Sequence, residues 1–125
     1  MSILDRDATT AHGDEAAIAS LHAEESRDWS QIAALYGELH RLTGSPVVEL
    51  SRAVAIAEHQ GPEAGLEIID RLSLPDYRYL HSSRGELLRR LGRSSEARDA
   101  FIRALQLSHD EAERRLLERR LADLA

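Results

Sequence analysis

Residues 76–109, DYRYLHSSRGELLRRLGRSSEARDAFIRALQLSH, decide the fold class of this chain. Apolar residues recur at three- and four-residue spacing on both sides of Gly92, which is the pattern of two amphipathic helices joined by a glycine turn. Gly85 and Ala97 place small side chains where two such helices would cross closely, and Phe101 would fill the gap toward the next helix. The stretch therefore predicts a pair of antiparallel helices.

Helical periodicity also extends over the rest of the chain from residue 14 onward. We predict seven helices, at about residues 14–25, 29–42, 46–60, 62–74 and 76–91, with two more that end near residues 107 and 124. The N-caps are predicted at Asp28, at Ser45 before Pro46, at Ser94 or Ser95, and at Ser108. Positions expected on inner faces include Leu35, Leu42, Val47, Ala64, Ile68, Leu72, Ala112 and Leu116.

The spacing of the pair at residues 76–109 recurs upstream. Subtracting 33 positions maps Ala97 to Ala64 and Phe101 to Ile68, and a more degenerate copy starts near residue 14. A small residue, a bulky residue, a glycine and then A-x-x-x-F-x-x-A is the pattern of tetratricopeptide (TPR) repeats. We therefore expect an all-α, TPR-like right-handed superhelix of three antiparallel helix pairs plus a C-terminal capping helix. An irregular helical bundle is the alternative.

Size and composition limit the function classes. A chain of 125 residues is one domain, with residues 1–13 expected to be a flexible leader and 14–125 the folded repeat domain. Cysteine is absent, so disulfides are excluded, and no apolar run reaches the roughly 18 to 20 residues of a membrane span. A net charge of −6 argues against direct binding to nucleic acid. We expect a cytoplasmic protein that does not contact membranes.

Six segments carry a narrower resemblance, which covers nearly the whole predicted domain. They are AAIASLHA (16–23), SPVVEL (45–50), RAVAIAE (52–58), GPEAG (61–65), LLRRLGR (87–93) and ERRLLERRLADL (113–124). These segments resemble the C-terminal TPR-like extension of bacterial extracytoplasmic-function (sigma-24-type) sigma factors. The resemblance implies a non-catalytic protein-protein interaction domain that supports transcription initiation through RNA polymerase or sigma-factor domains. Ser51 stands where that family usually has asparagine.

Two other interpretations stay open. The sigma domains that bind promoter DNA are absent from the chain and the sequence begins with Met1, so a stand-alone TPR adaptor for an unrelated protein or peptide is the alternative. Self-association through an exposed helix is a third possibility, and the oligomeric state is left open.

Partner-binding residues are expected on the concave face, which the first helix of each TPR pair lines. That face comprises Ala17, Leu21 and Glu24 in the first pair, Ser51, Ala55 and Glu58 in the second, and Tyr79, Ser82, Glu86 and Arg89 in the third. The face lacks the lysine and asparagine clamp by which chaperone-binding TPR domains hold a C-terminal carboxylate. We therefore do not expect that class of ligand.

Tyr77, His81 and Arg84 resemble a polar cluster of the sigma-factor extension. The resemblance implies a polar hub that links repeats or touches a partner, whereas a hydrogen-bonded structural histidine beside a paired arginine is the interpretation that we favour.

The last predicted helix carries a basic stripe of Arg114, Arg115, Arg119 and Arg120. Because glutamates are interleaved with these arginines, a solvated, salt-bridged face is the simpler interpretation. Docking of the stripe on an acidic polymerase surface is the alternative.

No metal site, cofactor or catalytic activity is predicted. The six histidines, His12, His22, His40, His59, His81 and His109, do not show the ligand spacings of known metal motifs. The sequence also lacks a glycine-rich phosphate loop and a nucleophile elbow, so we do not expect an enzyme.

Overall fold

The computed structural model describes residues 28–124, which form six α-helices and no β-strand. The helices are α1 (Trp29–Thr43), α2 (Pro46–Gln60), α3 (Pro62–Ile69), α4 (Arg78–Arg90), α5 (Ser94–Leu107) and α6 (Glu111–Asp123). The all-α class is therefore confirmed for this range. The predicted leader and the predicted helix at residues 14–25 lie outside the described residues.

The predicted caps of α1 and α2 are present. The Asp28 carboxylate accepts the N–H of Gln31 at 3.0 Å, and the Ser45 hydroxyl accepts the N–H of Val48 at 3.3 Å. Pro46 occupies the first turn of α2, where its missing N–H has no helical partner to lose. The short polar residues Asp28 and Ser45 thus correctly predicted where α1 and α2 begin.

The other two cap predictions are wrong. Ser94 and Ser95 are the first two residues of α5, and the residue before them makes no capping bond with its side chain. At α6 the cap is Asp110, whose carboxylate accepts the N–H of Glu113 at 2.9 Å. Ser108 instead ends α5 and donates its hydroxyl to the Glu113 carboxylate at 2.8 Å. A carboxylate suits the positive end of α6 better than a hydroxyl does.

Helix α3 is shorter than predicted, because it ends at Ile69 and leaves Leu72 outside. Leu72 and Leu74 still pack against the core from the connection between α3 and α4. Pro75 disfavours helical geometry at the residue before it, and α4 begins at Arg78, later than the predicted residue 76. Apolar periodicity in this segment therefore indicates which residues pack against the core, but it does not locate the end of α3.

Each helix packs against the next one along the chain, and α2 also contacts α4. The main core contains Leu50, Ala53, Ala57, Leu66, Ile69, Leu80, Leu87, Leu88, Ala97, Ala100, Phe101, Ala104, Leu117 and Leu124. A smaller cluster joins α1 to α2 through Ile32, Ala33 and Ala55. None of the six described helices is both long and apolar enough to cross a bilayer.

Glycine sets the turn between α4 and α5. Gly92 has a φ of 75°, in the left-handed region that side chains disfavour. The N–H of Arg93 then reaches the carbonyl of Leu88 at 2.9 Å and closes the end of α4. This three-residue turn folds α5 back along α4, as the sequence predicted.

Several positions predicted to be internal are exposed or only partly buried. Leu35, Leu42, Val47, Ala112 and Leu116 are exposed, and Ala64, Ile68 and Leu72 are only partly buried. In α3 the buried side is formed by Gly65, Leu66 and Ile69. Gly65 lies so close to α2 that a Cβ atom there would be 2.6 Å from the carbonyl oxygen of Ala53. The close approach of the α2 and α3 backbones at Gly65 determines which side of α3 is buried. Apolar periodicity does not reveal this approach.

Candidate binding groove

Two adjoining cavities form an open groove between α2 and α4, with α6 at one end. The first cavity, of about 280 Å³, is lined by Tyr36, Val47, Leu50, Ser51, Val54, Tyr77, Tyr79 and Ser83. The second, of about 340 Å³, is lined by Val54, Glu58, Ser82, Ser83, Glu86, Leu87, Arg90, Phe101, Leu116, Leu117 and Arg120. Because Val54 and Ser83 line both, we treat the two cavities as one feature and call it the inner groove.

Helical spacing explains how the inner groove forms. On α2, Ser51, Val54 and Glu58 follow one another at intervals of three and four residues, so they share one side of the helix. On α4, Tyr79 and Glu86 are two turns apart and lie on the side that faces α2. The stripe on α2 therefore forms one wall of the inner groove, and the stripe on α4 forms the other.

The structure brings five predicted partner-binding residues to the inner groove. They are Ser51, Glu58, Tyr79, Ser82 and Glu86. Leu21 and Glu24, together with Ala17, lie outside the described residues. Arg89 is exposed and does not line the groove, although it holds the Glu86 carboxylate through two hydrogen bonds.

The assignment of Ala55 to the binding face is wrong. Ala55 is 1% exposed and packs with Ile32 and Ala33 on the side of α2 that faces α1. Its neighbour Val54 lines the groove in its place. Val54 and Ala55 follow Ser51 by three and four residues, so helical spacing is compatible with either residue on the binding face. Only the packing of α1 against α2 shows that Ala55 faces away from the groove.

Sequence reasoning also missed part of the lining. The missed residues are Tyr36, Val47, Leu50, Val54, Ser83, Leu87, Arg90, Phe101, Leu116 and Leu117. Tyr77 and Arg120 also line the groove, but the sequence assigned them to the family-like polar cluster and to the basic stripe. For Ser83 and Arg90 the signal was available, because they continue the α4 stripe of Tyr79 and Glu86 at four-residue steps. No such signal exists for α6, whose approach to the groove depends on tertiary packing.

The acidic side chains of the groove are paired. Glu86 lies beside Arg89, and the Nε atoms of Arg90 and Arg120 are each 3.5 Å from a Glu86 carboxylate oxygen. Burial raises the pKa of Glu86, but the hydrogen bond from Arg89 and the charges of the three arginines outweigh it and hold the pKa below its ordinary value. Glu58 accepts from Nη1 of Arg90 at 2.8 Å. The lowered pKa thus keeps the Glu86 carboxylate ionised, and the Glu58 carboxylate is paired with Arg90.

An aromatic pair forms the other end of the groove. The rings of Tyr77 and Tyr79 meet edge to face with centroids 5.4 Å apart. The Arg78 guanidinium lies 4.6 Å from the centroid of the Tyr79 ring and donates from Nε to Glu113 at 2.7 Å. Tyr79 is therefore held in place although 43% of it is exposed.

The family-like polar cluster has structural contacts. His81 Nε2 lies 2.8 Å from the carbonyl oxygen of Pro75, and Arg84 donates from Nε to Asp70 at 2.8 Å. Both contacts tie α4 to the connection that follows α3. Tyr77 packs against the core and lines the inner groove. These contacts fit the interpretation of His81 and Arg84 as structural side chains.

The basic stripe of α6 is divided by its contacts. Arg114 donates to the carbonyl oxygen of Leu105 at 2.7 Å, and Arg115 donates to Glu111 at 2.9 Å. Arg120 reaches the groove, and Arg119 makes no ion pair within residues 28–124. Three arginines of the stripe are therefore bonded or ion-paired, Arg120 with Glu86 at 3.5 Å, and Arg119 is the one without an ion pair in the described range.

Glu49 on α2 supplies a test of the electrostatics. Its carboxylate accepts Nε and Nη2 of Arg52 at 2.7 and 2.9 Å, and His40 Nδ1 is 3.7 Å away. The hydrogen bond from Arg52, with the charges of Arg52 and His40, outweighs burial and lowers the pKa of Glu49 below the ordinary 4.5.

A lowered pKa in the folded state means that the ionised carboxylate stabilises the fold above the unfolded pKa, and that this stabilisation is lost as pH falls through the folded value. We expect wild type to exceed Glu49→Gln in unfolding free energy at pH 7 by less than about 1 kcal/mol, and the difference to disappear toward pH 3. Urea titrations between pH 7 and pH 3 measure it. Glu118→Gln, which removes a carboxylate with no ion pair within residues 28–124, is the matched control. A constant difference at every pH would contradict this prediction.

Comparison with known proteins gives one informative relative. No protein-family model and no solved structure matches this chain. An uncharacterized protein of Rhizobium meliloti (strain 1021) is 46% identical over 117 residues, an alignment that covers 89% of this chain. The chain spans only 28% of the length of that relative.

Proposed function

We propose that this chain is a non-catalytic protein-binding domain, a TPR-like right-handed superhelix that holds its partner in the inner groove. The observation that carries the proposal is the groove itself. Its lining contains apolar side chains such as Val54 and Leu87 together with paired charges, and it is open to solvent along α2 and α4. A concave, partly apolar surface with a few fixed polar groups is what protein segments and small ligands bind.

Two observations support the repeat arrangement. Gly65 and Ile69 in α3 precede Ala97 and Phe101 in α5 by 32 residues, and all four are buried. This offset replaces the predicted 33. In addition, α2 contacts α4, and in a helical array the first helices of neighbouring pairs contact each other.

We further propose that the domain acts as a regulatory C-terminal part of an extracytoplasmic-function sigma factor in the cytoplasm. Its partner would then be RNA polymerase or the sigma-factor domains, and binding would support transcription initiation. The sequence resemblance supports this, and so does the relative, because a segment that spans 28% of a longer protein fits an extension carried by other domains.

A pull-down with the purified domain tests the proposal. We expect immobilised domain to retain purified RNA polymerase or separately expressed sigma domains at moderate salt. Retention of neither would contradict the sigma-factor role and would favour the adaptor interpretation.

A further inference from the structure

The end of the inner groove formed by α6 has an exposed apolar residue next to two arginines. Leu116 is 43% exposed and lines the second cavity. Arg119 and Arg120 follow it by three and four residues, so each is a neighbour of Leu116 on the surface of α6. Arg120 lines the second cavity, and Arg119 is exposed outside its lining.

At this end of the inner groove, the carboxylates accept hydrogen bonds, but two neighbouring arginines donate none within residues 28–124. The Glu58 carboxylate already accepts from Arg90, and the Glu86 carboxylate accepts from Arg89. Arg120, by contrast, approaches Glu86 only to 3.5 Å and makes no hydrogen bond within residues 28–124. Arg119 makes none in that range either. Since each guanidinium has five N–H donors in a planar fork, this end of the groove is short of acceptors.

The surface beside these arginines is apolar. Val54, Leu87 and Leu117 line the same cavity as Leu116, with the ring of Phe101 among them. An apolar side chain that enters here would be removed from water, and a carboxylate one turn away on the same ligand would meet Arg119 or Arg120. Arginine binds carboxylates with two parallel hydrogen bonds when the geometry allows it.

We propose that the α6 end of the inner groove binds an acidic protein segment with leucine or phenylalanine anchors. An anchor packs against Leu116 and Val54, and carboxylates on the same segment bind Arg119 and Arg120. The choice of partner follows from charge complementarity, because both groove carboxylates already accept hydrogen bonds, whereas Arg120 has only its ion pair with Glu86 and Arg119 has neither a hydrogen bond nor an ion pair within residues 28–124. This inference rests on the proposed function and names the chemistry of the partner.

Fluorescence anisotropy with a defined probe tests this inference. The probe is a fluorescein-labelled 12-residue peptide of alternating Leu-Leu and Asp-Glu pairs, titrated with the whole chain. Two control peptides carry Asn-Gln in place of Asp-Glu, or Ser-Ser in place of Leu-Leu. We expect both controls to bind about tenfold more weakly than the probe, because each loses one of the two contact types.

Variants on α6 locate the binding site. We expect the double variant Arg119→Gln/Arg120→Gln, and separately Leu116→Ser, to weaken probe binding about tenfold. Arg115→Gln changes an arginine of the same helix that is paired with Glu111, and we expect it to bind as wild type does. The altered side chains are all exposed or partly exposed, so circular dichroism should show an unchanged helical content.

Three results would overturn the inference: equal binding of the uncharged control peptide, equal loss of affinity in Arg115→Gln and the double variant, or binding of a 12-base-pair DNA duplex in preference to the peptide. The pull-down distinguishes failure of the acidic-segment inference from failure of the proposed function. Retention of polymerase without probe binding rejects the acidic segment and keeps the proposed function. Probe binding at α6 without retention of polymerase or sigma domains supports the acidic segment and rejects the sigma-factor role.

Discussion

Phe101→Ala is expected to lower the free energy of unfolding by about 3 to 5 kcal/mol, the usual cost of removing a buried aromatic ring. Phe101 is 2% exposed and its ring lies against Gly85, where a Cβ atom would be 2.8 Å from two of its atoms. The surrounding helices α4 and α5 cannot close the resulting cavity without moving together. Since domains of this size are stable by about 5 to 15 kcal/mol, the loss is a large fraction of the total.

Urea denaturation followed by circular dichroism measures this loss. Ile102→Ala is the matched control, because it truncates the adjacent residue of the same helix, which is 39% exposed. We expect the control to cost less than about 1 kcal/mol. Similar losses in the two variants would show that α5 does not bury the side predicted from the sequence.

Gly65→Ala is expected to destabilise the fold by about 1 to 3 kcal/mol, the typical cost of overpacking. The added Cβ would lie 2.6 Å from the carbonyl oxygen of Ala53 and 2.6 Å from the Cβ of Ala57. Backbone atoms cannot move aside as a flexible side chain can, so α2 and α3 would have to separate. Helix propensity acts in the opposite direction, since alanine gains about 1 kcal/mol over glycine inside a helix.

Gly37→Ala is the matched control for that substitution. Gly37 is also inside a helix, but among residues 28–124 a Cβ there would meet only the side chain of Arg52, at 3.4 Å. We therefore expect this variant to be more stable than wild type by up to about 1 kcal/mol. The same chemical change should thus have opposite signs at the two sites. Stabilisation by both would contradict the close contact of α2 with α3.

Local sequence signals predicted most of the fold of residues 28–124. Apolar periodicity located all six helices, and turn glycines with Asp28 and Ser45 located several of their ends. The failures occur where tertiary contacts decide. Leu72 packs against the core without being helical, and Ser108 bonds to Glu113 instead of capping α6. Neither outcome has a signature in the local sequence.

Part of the candidate groove was also predictable. The α4 wall followed from helical spacing, but on α2 the choice between Val54 and Ala55 depended on which side α1 covers. Leu116 was predicted to be internal, but it is exposed and lines the groove. Helix α6 carries several leucines, and only the angle at which it docks on α5 shows which leucine remains exposed.

A pair of serine variants tests whether a protein partner binds in the inner groove. Ser83 lines both cavities, whereas Ser95 is exposed in the first turn of α5, away from the groove. Arginine at Ser83 would fill the groove without lowering helix propensity.

Affinity for purified RNA polymerase, or for sigma-factor domains if those are retained in the pull-down, is then measured for both variants. We expect Ser83→Arg to weaken binding about tenfold or more and Ser95→Arg to bind as wild type does. Equal affinity of Ser83→Arg and wild type would place the partner on another surface and rule out the inner groove as its binding site.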